Sequence, residues 1–158
     1  MILTYDDWKF SVDIDATMAY SAAEAADHCT CDYCRNFYGA VDGAFPQLRG
    51  FLGQFGLDVE APEELMPFTA TQMLAKYLVT GQILSYGKRS IDSCGTPISA
   101  EPYEAERFLL SVGPFEIPWV LEEPLVESEI VSPANQPSFL RNMWNYLLKN
   151  GEKPKIWS

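Results

Sequence analysis

The chain of 158 residues has the length of one domain, and 47% hydrophobic, 13% aromatic and 21% charged residues exclude disorder along most of it. Eleven basic against 22 acidic residues leave a net charge of −11, a field that repels phosphate backbones and anionic lipid, so neither nucleic acid nor a membrane surface is an expected partner. The imbalance sits in the body: residues 140–158 hold Arg141, Lys149, Lys153 and Lys155 against Glu152 alone, leaving seven basic and 21 acidic residues before them. An acidic surface of this kind serves solubility, or offers a face to a basic partner.

The opening residues, Met1-Ile2-Leu3-Thr4-Tyr5-Asp6-Asp7, carry neither a basic n-region nor an apolar h-region, so no secretory signal is expected there and a cytoplasmic location is. Residues 8–15 alternate apolar and polar from Trp8 to Asp15, which predicts a strand with one buried face. Ser21 and Glu24 have the spacing of a capping box, predicting a short helical turn over 22–27. From Thr30, read as an N-cap, Cys31, Cys34, Tyr38 and Val41 recur at spacings of three and four and predict a helix ending near Asp42-Gly43.

Pro46 suits a first helical position, and Leu48, Phe51, Leu52 and Phe55 form the apolar face of a second helix that stops at Gly56, so the two should make a helical hairpin. Pro62-Glu63-Glu64-Leu65 reads as one more helical turn. Met73 to Tyr86 is rich in strand formers and is assigned to strands, with Gly81 at a bulge or turn. Short apolar runs at 108–112 and 117–121 predict further strands, and none of these runs approaches the roughly 20 residues needed to cross a bilayer. Phe139, Leu140, Met143, Trp144, Leu147 and Leu148 form an amphipathic helix ending at Asn150-Gly151. The expected class is α+β: a mainly antiparallel sheet with the N-terminal helical hairpin and the C-terminal amphipathic helix packed on it, in one domain over 1–158, with 151–158 as an extended tail.

Chemistry concentrates in His28-Cys29-Thr30-Cys31-Asp32-Tyr33-Cys34, which holds the sole histidine and three of the four cysteines. Zinc takes thiolate and imidazole ligands in a tetrahedron, and Cys31 and Cys34 have the Cys-x-x-Cys spacing that bends two sulfurs toward one ion. Cys29 or His28 offers a third ligand, and Cys94, on a glycine-containing turn, offers the fourth; no second Cys-x-x-Cys is present. Two other readings stay open. Cysteine packs well as a small buried hydrophobe. A Cys-x-x-Cys pair in the first turn of a helix can instead be redox active, because the positive helix end stabilises a thiolate. Gly95-Thr96-Pro97 resembles the threonine-proline loop that faces such a pair in thioredoxin-like proteins, although a strand should then precede the cysteines and 22–27 reads as helical.

Other catalytic patterns lack support. No serine sits in a Gly-x-Ser-x-Gly elbow, and the glycines are too scattered for a phosphate loop. The acidic pairs Glu63-Glu64, Glu122-Glu123 and Glu127/Glu129 read as surface charge, and Trp8, Trp119 and Trp144 as packing residues. Trp157, after a helix stop, suits an apolar tail that docks on a partner or on a second copy.

Residues 28–68, with Cys29-x-Cys31-x-x-Cys34-Arg35-Asn36-Phe37-Tyr38 followed by Phe45-Pro46-x-Leu48-x-x-Phe51-Leu52-x-x-Phe55-Gly56-Leu57-Asp58, resemble small uncharacterised bacterial proteins that share this cysteine-helix-helix pattern. That resemblance implies a bacterial cytoplasmic origin and brings no catalytic residues. The expected function is a non-catalytic binding or protein-interaction module, meeting an unknown protein partner or itself, with a structural cysteine cluster for which zinc is the candidate cofactor. The alternative is a thiol-disulfide redox protein acting through Cys31 and Cys34.

Overall fold

The computed structural model describes residues 1–122; the expected helix over 139–148 and the tail over 151–158 lie outside the described residues. Within them the chain runs β1 (Ile2–Tyr5), β2 (Trp8–Val12), α1 (Ile14–Ala26), α2 (Asp32–Ala44), α3 (Leu48–Gly53), β3 (Glu64–Pro67), β4 (Gln72–Ser85), β5 (Ile98–Pro102) and β6 (Arg107–Glu116). This is an α+β fold with an antiparallel sheet in the order β1-β2-β4-β6-β5, and β3 pairs with β4 beside it. Among the described residues no helix is long and apolar enough to cross a membrane.

The long strand β4 organises the sheet. One edge pairs with β6 from Gln72↔Glu116 to Thr80↔Arg107. The other edge is shared: β3 takes Met73–Lys76, and β2 takes Gly81–Ser85. Between them the chain leaving β2 fills the gap, as Asp13 donates its N–H to the Thr80 carbonyl (2.9 Å) and Thr80 donates its own to Thr17 Oγ1 (3.0 Å). Side chains alternate across the sheet. Met73, Ala75, Tyr77 and Val79 therefore join Phe108, Leu110 and Val112 on one face, against Phe37, Val41, Leu48 and Leu52 of α2 and α3. Leu74 belongs to the opposite face, in a small cluster with Met66 and Phe68.

Five sequence expectations are corrected. The strand alternation from Trp8 ends at Val12, because Asp13 caps a helix: its carboxylate accepts the Ala16 N–H (3.0 Å). The predicted turn over 22–27 is thus the end of a helix begun at Ile14, and Ser21, rather than closing a capping box, accepts the Asp58 N–H at 2.8 Å. The helical turn expected at Pro62–Leu65 is replaced by β3, since β4 offers an open edge and pairing there satisfies backbone groups that one helical turn would leave free. Gly81 is neither turn nor bulge. Strand β4 is continuous through it, with irregular register at Lys9/Phe10 and Met73/Ala75 instead, and Gly81 is needed because a Cβ there would lie 2.0 Å from the Ser11 carbonyl oxygen. Finally, residues 117–121 form no strand and run against α2.

That last segment is held by one side chain. Asn36, fully buried on α2, donates from Nδ2 to the Pro118 carbonyl (3.0 Å) and accepts the Val120 N–H at Oδ1 (2.7 Å). Val120 comes so close to Gly39 that an added Cβ would sit 3.3 Å from it, and Trp119 meets Tyr33 edge to face at 6.3 Å. Asn36→Ala removes both bonds to the Pro118 carbonyl and the Val120 N–H and should cost about 1–3 kcal/mol of stability, measured as a lower urea midpoint. Asn36→Asp, which keeps the acceptor and loses the donor, should not restore it.

Candidate metal centre

Helix α1 ends at Ala26 with Asp27 as its C-cap, and α2 begins at Asp32 with Cys31 as its N-cap. The residues between them carry the cluster. Cys31, rather than Thr30, caps the helix, and it does so with no side-chain bond to the first turn, which leaves its sulfur available. The cap's carbonyl accepts the Arg35 N–H (2.9 Å), the first bond of the helix. In the turn, the Cys31 N–H points at Cys29 Sγ (3.4 Å), folding Cys29 back toward the helix. Cys34, in the first turn, completes the set. The three sulfurs lie within 4.8 Å of one another, and among the described residues no imidazole nitrogen or carboxylate oxygen joins them.

Tetrahedral zinc with Zn–S bonds of about 2.3 Å needs sulfurs about 3.8 Å apart, so the three positions need close by only about an ångström to hold an ion. The donor set suits a thiophilic divalent metal. Cys29 and Cys31 are exposed and Cys34 is half-buried, all as free thiols, so packing does not account for the first two. Burial deepens along the helix instead: Phe37, Ala40 and Val41 are the core residues of α2, and Cys31 is not on their stripe.

The other two candidates stand apart from the cluster. Cys94 is buried in the β4–β5 connection, its thiol 3.9 Å from the Gln47 carbonyl just beyond the C-terminal end of α2, and Gly95 faces Phe45. The helix from Cys34 to Ala44 spans about 15 Å, so the two sites occupy opposite ends of α2. Thr96 and Pro97 go with Cys94, so no threonine-proline loop faces the cysteine pair, and α1 rather than a strand precedes it. His28 is exposed and next in sequence, but its ring lies flat on Tyr38, with centroids 4.4 Å apart and planes 9° from parallel.

Tyr38 is the contributor that the sequence reading took for a core stripe residue. Its hydroxyl donates to the Cys29 carbonyl (3.0 Å) while its ring supports His28, so one side chain fixes the first cysteine and the residue before it. No spacing rule marks such a residue in advance; only its position one turn beyond Cys34 hints at it. Asp32, between the thiols in sequence, is engaged by Arg35 at 3.2 Å.

Cys29 and Cys34 are electrostatically unlike. The Cys31 N–H, together with the neighbouring Cys31 and Cys34 thiols, stabilises a thiolate at Cys29 and lowers its pKa. Burial, followed by the adjacent sulfurs, drives the Cys34 thiol far above its ordinary range. Burial and the same sulfurs also raise Tyr38 strongly. A lowered pKa means more thiolate at a given pH, and the thiolate is the nucleophile. In metal-free protein, iodoacetamide near neutral pH should therefore modify Cys29 well before Cys34, as read by peptide mass mapping; faster labelling of Cys34 would contradict this order.

Compared with protein-family models, with curated proteins and with solved structures, the chain finds no match in any of the three, so its function is read from the cluster's own geometry.

Proposed function

We propose that the protein is a non-catalytic binding module in which Cys29, Cys31 and Cys34 hold a zinc ion that fastens the end of α1 to the start of α2. One observation carries this reading: three sulfurs, two of them exposed, converge within 4.8 Å around a helix start. Free surface thiols have no packing reason to gather, whereas three thiolates sharing one divalent cation exchange mutual repulsion for coordination. The positive end of α2 adds to the stability of the thiolates. Its acidic surface, 22 acidic against 11 basic residues, suits a basic partner face.

Protein purified without a metal-affinity tag should contain close to one zinc per chain by plasma mass spectrometry. Serine at Cys29, Cys31 or Cys34 should abolish that stoichiometry, and Cys94→Ser should leave it intact. Free zinc at 100 times its dissociation constant stabilises a folded-state site by about 2.7 kcal/mol. For a chain of this size that raises the melting temperature by roughly 5–10 °C, less any zinc held by the unfolded cysteines. Zinc-independent melting of the wild-type chain together with a metal-free preparation would remove the reading.

A second reading, thiol chemistry, is favoured by the exposure and lowered pKa of Cys29. It moves the nucleophile from the Cys31/Cys34 pair to Cys29, because Cys34 is held protonated. The same preparations distinguish the two. A redox protein would be metal-free and would form a defined disulfide from Cys29 with a low-molecular-weight disulfide, losing this on Cys29→Ser; a zinc site would protect all three thiols until a chelator is added.

A further inference from the structure

We infer that His28 is the fourth ligand of the zinc site, and that it reaches the ion by leaving the face of Tyr38. This rests on the zinc reading above and names what completes it. Thiol and imidazole side chains in the whole sequence are limited to four cysteines and one histidine, and residues 123–158 contain neither type. Three of the five already converge. Cys94 is buried at the far end of α2, with its thiol directed at the Gln47 carbonyl, and cannot reach the cluster without dismantling the core around Ile91 and Ile98. Asp32 is paired with Arg35. Of the thiol and imidazole groups His28 alone remains, exposed and adjacent to Cys29.

In the described state its ring is parked 4.4 Å from the Tyr38 ring, and the Tyr38 hydroxyl holds the Cys29 carbonyl at 3.0 Å. The second contact keeps the backbone of the loop in place while the first can be released by a change of side-chain rotamer alone. An exposed ring stack is a weaker bond than imidazole to zinc, so the ion draws the ring away once three thiolates have bound it. No proton need leave His28 when it binds as the neutral imidazole; whatever thiol protons the cysteines still carry are released to solvent as Zn–S bonds form. Tyr38 is then a positioning residue for the metal-free loop and is uncovered when the metal binds.

The single histidine makes the test direct, because its imidazole signals are the only ones of that type in the proton spectrum. On the full chain, one equivalent of zinc should move these signals out of the ring-current field of Tyr38. His28→Ala should weaken zinc at least about tenfold in chelator competition while cobalt still gives thiolate charge-transfer bands, since three sulfurs remain. A Tyr38→Leu chain should show the histidine signals already displaced before zinc is added. Unmoved signals with unchanged zinc affinity in His28→Ala would overturn the inference and leave the fourth position to solvent. Absence of charge-transfer bands from the cobalt-treated wild-type chain would instead overturn the zinc reading itself, and this inference with it.

Discussion

The fold depends on the pairing of β4, a 14-residue strand whose segment Met73–Val79 is buried on both faces. A strand so placed must satisfy its backbone on two edges without help from water. β6 does this along one edge, while the other is divided between β3, the start of α1 and β2. The division has consequences in sequence order. β2 has to stop at Val12 so that Asp13 and Thr17 can bond Thr80, and that stop sets the register of α1. Tyr77, fully buried on the same strand, donates its hydroxyl to the Val59 carbonyl at 2.7 Å and so ties the loop after α3 to the sheet.

From that frame the cluster is positioned through α2. Phe37 and Val41 anchor the helix in the core, and Phe37 and Phe45 both lie against Phe115 of β6, with centroids 5.9 and 5.6 Å away. Asn36 fixes the same helix to residues 118–120 with a polar clasp. The first turn, held by these contacts just behind it, presents Cys34 and Cys31 at a defined spacing. Cys29 alone lies outside regular structure, and there the hydroxyl of Tyr38 holds its backbone in place. Rigid elements thus supply two sulfurs, and one aromatic side chain supplies the geometry of the third.

Much of this was legible. Buried Trp8, Phe10 and Val12 give β2 its alternation, Leu48, Phe51 and Leu52 give α3 its face, and the strand-forming composition of Met73–Tyr86 is that of β4. The concentration of Cys29, Cys31 and Cys34 in six residues marked the site without any structure. What periodicity could not carry was α1, a helix with little apolar face: its buried residues are Thr17 and Ser21, both engaged in hydrogen bonds to distant backbone. Its alanines favour helix by intrinsic propensity alone, and the alternation running through Ile14 competed with that weak signal. β3 was hidden for another reason, because Glu64–Pro67 is strand only by virtue of its partner. Cys94 illustrates the limit for the site: a turn residue suggests a protruding ligand, yet whether it faces the cluster or the other end of α2 is a matter of topology that spacing does not encode.

Charge explains why such a site would bind metal and proton in competition. The chain already carries a net −11, and three ionised thiols would add to it on one surface patch. The metal-free arrangement avoids this by making the sulfurs unequal: Cys29 accepts hydrogen bonds and inclines to thiolate, while Cys34 is held as the thiol by burial and by its neighbours. A divalent cation would remove the conflict, since it would offset two of the three negative charges and bond all three sulfurs, the remaining thiol protons leaving to solvent. Cys29, Cys31 and Cys34 would hold the ion as thiolates, with Cys34 the most buried of the three sulfurs. A neutral imidazole would then close the sphere without adding charge to an acidic surface, which is the electrostatic reason for preferring His28 to a carboxylate.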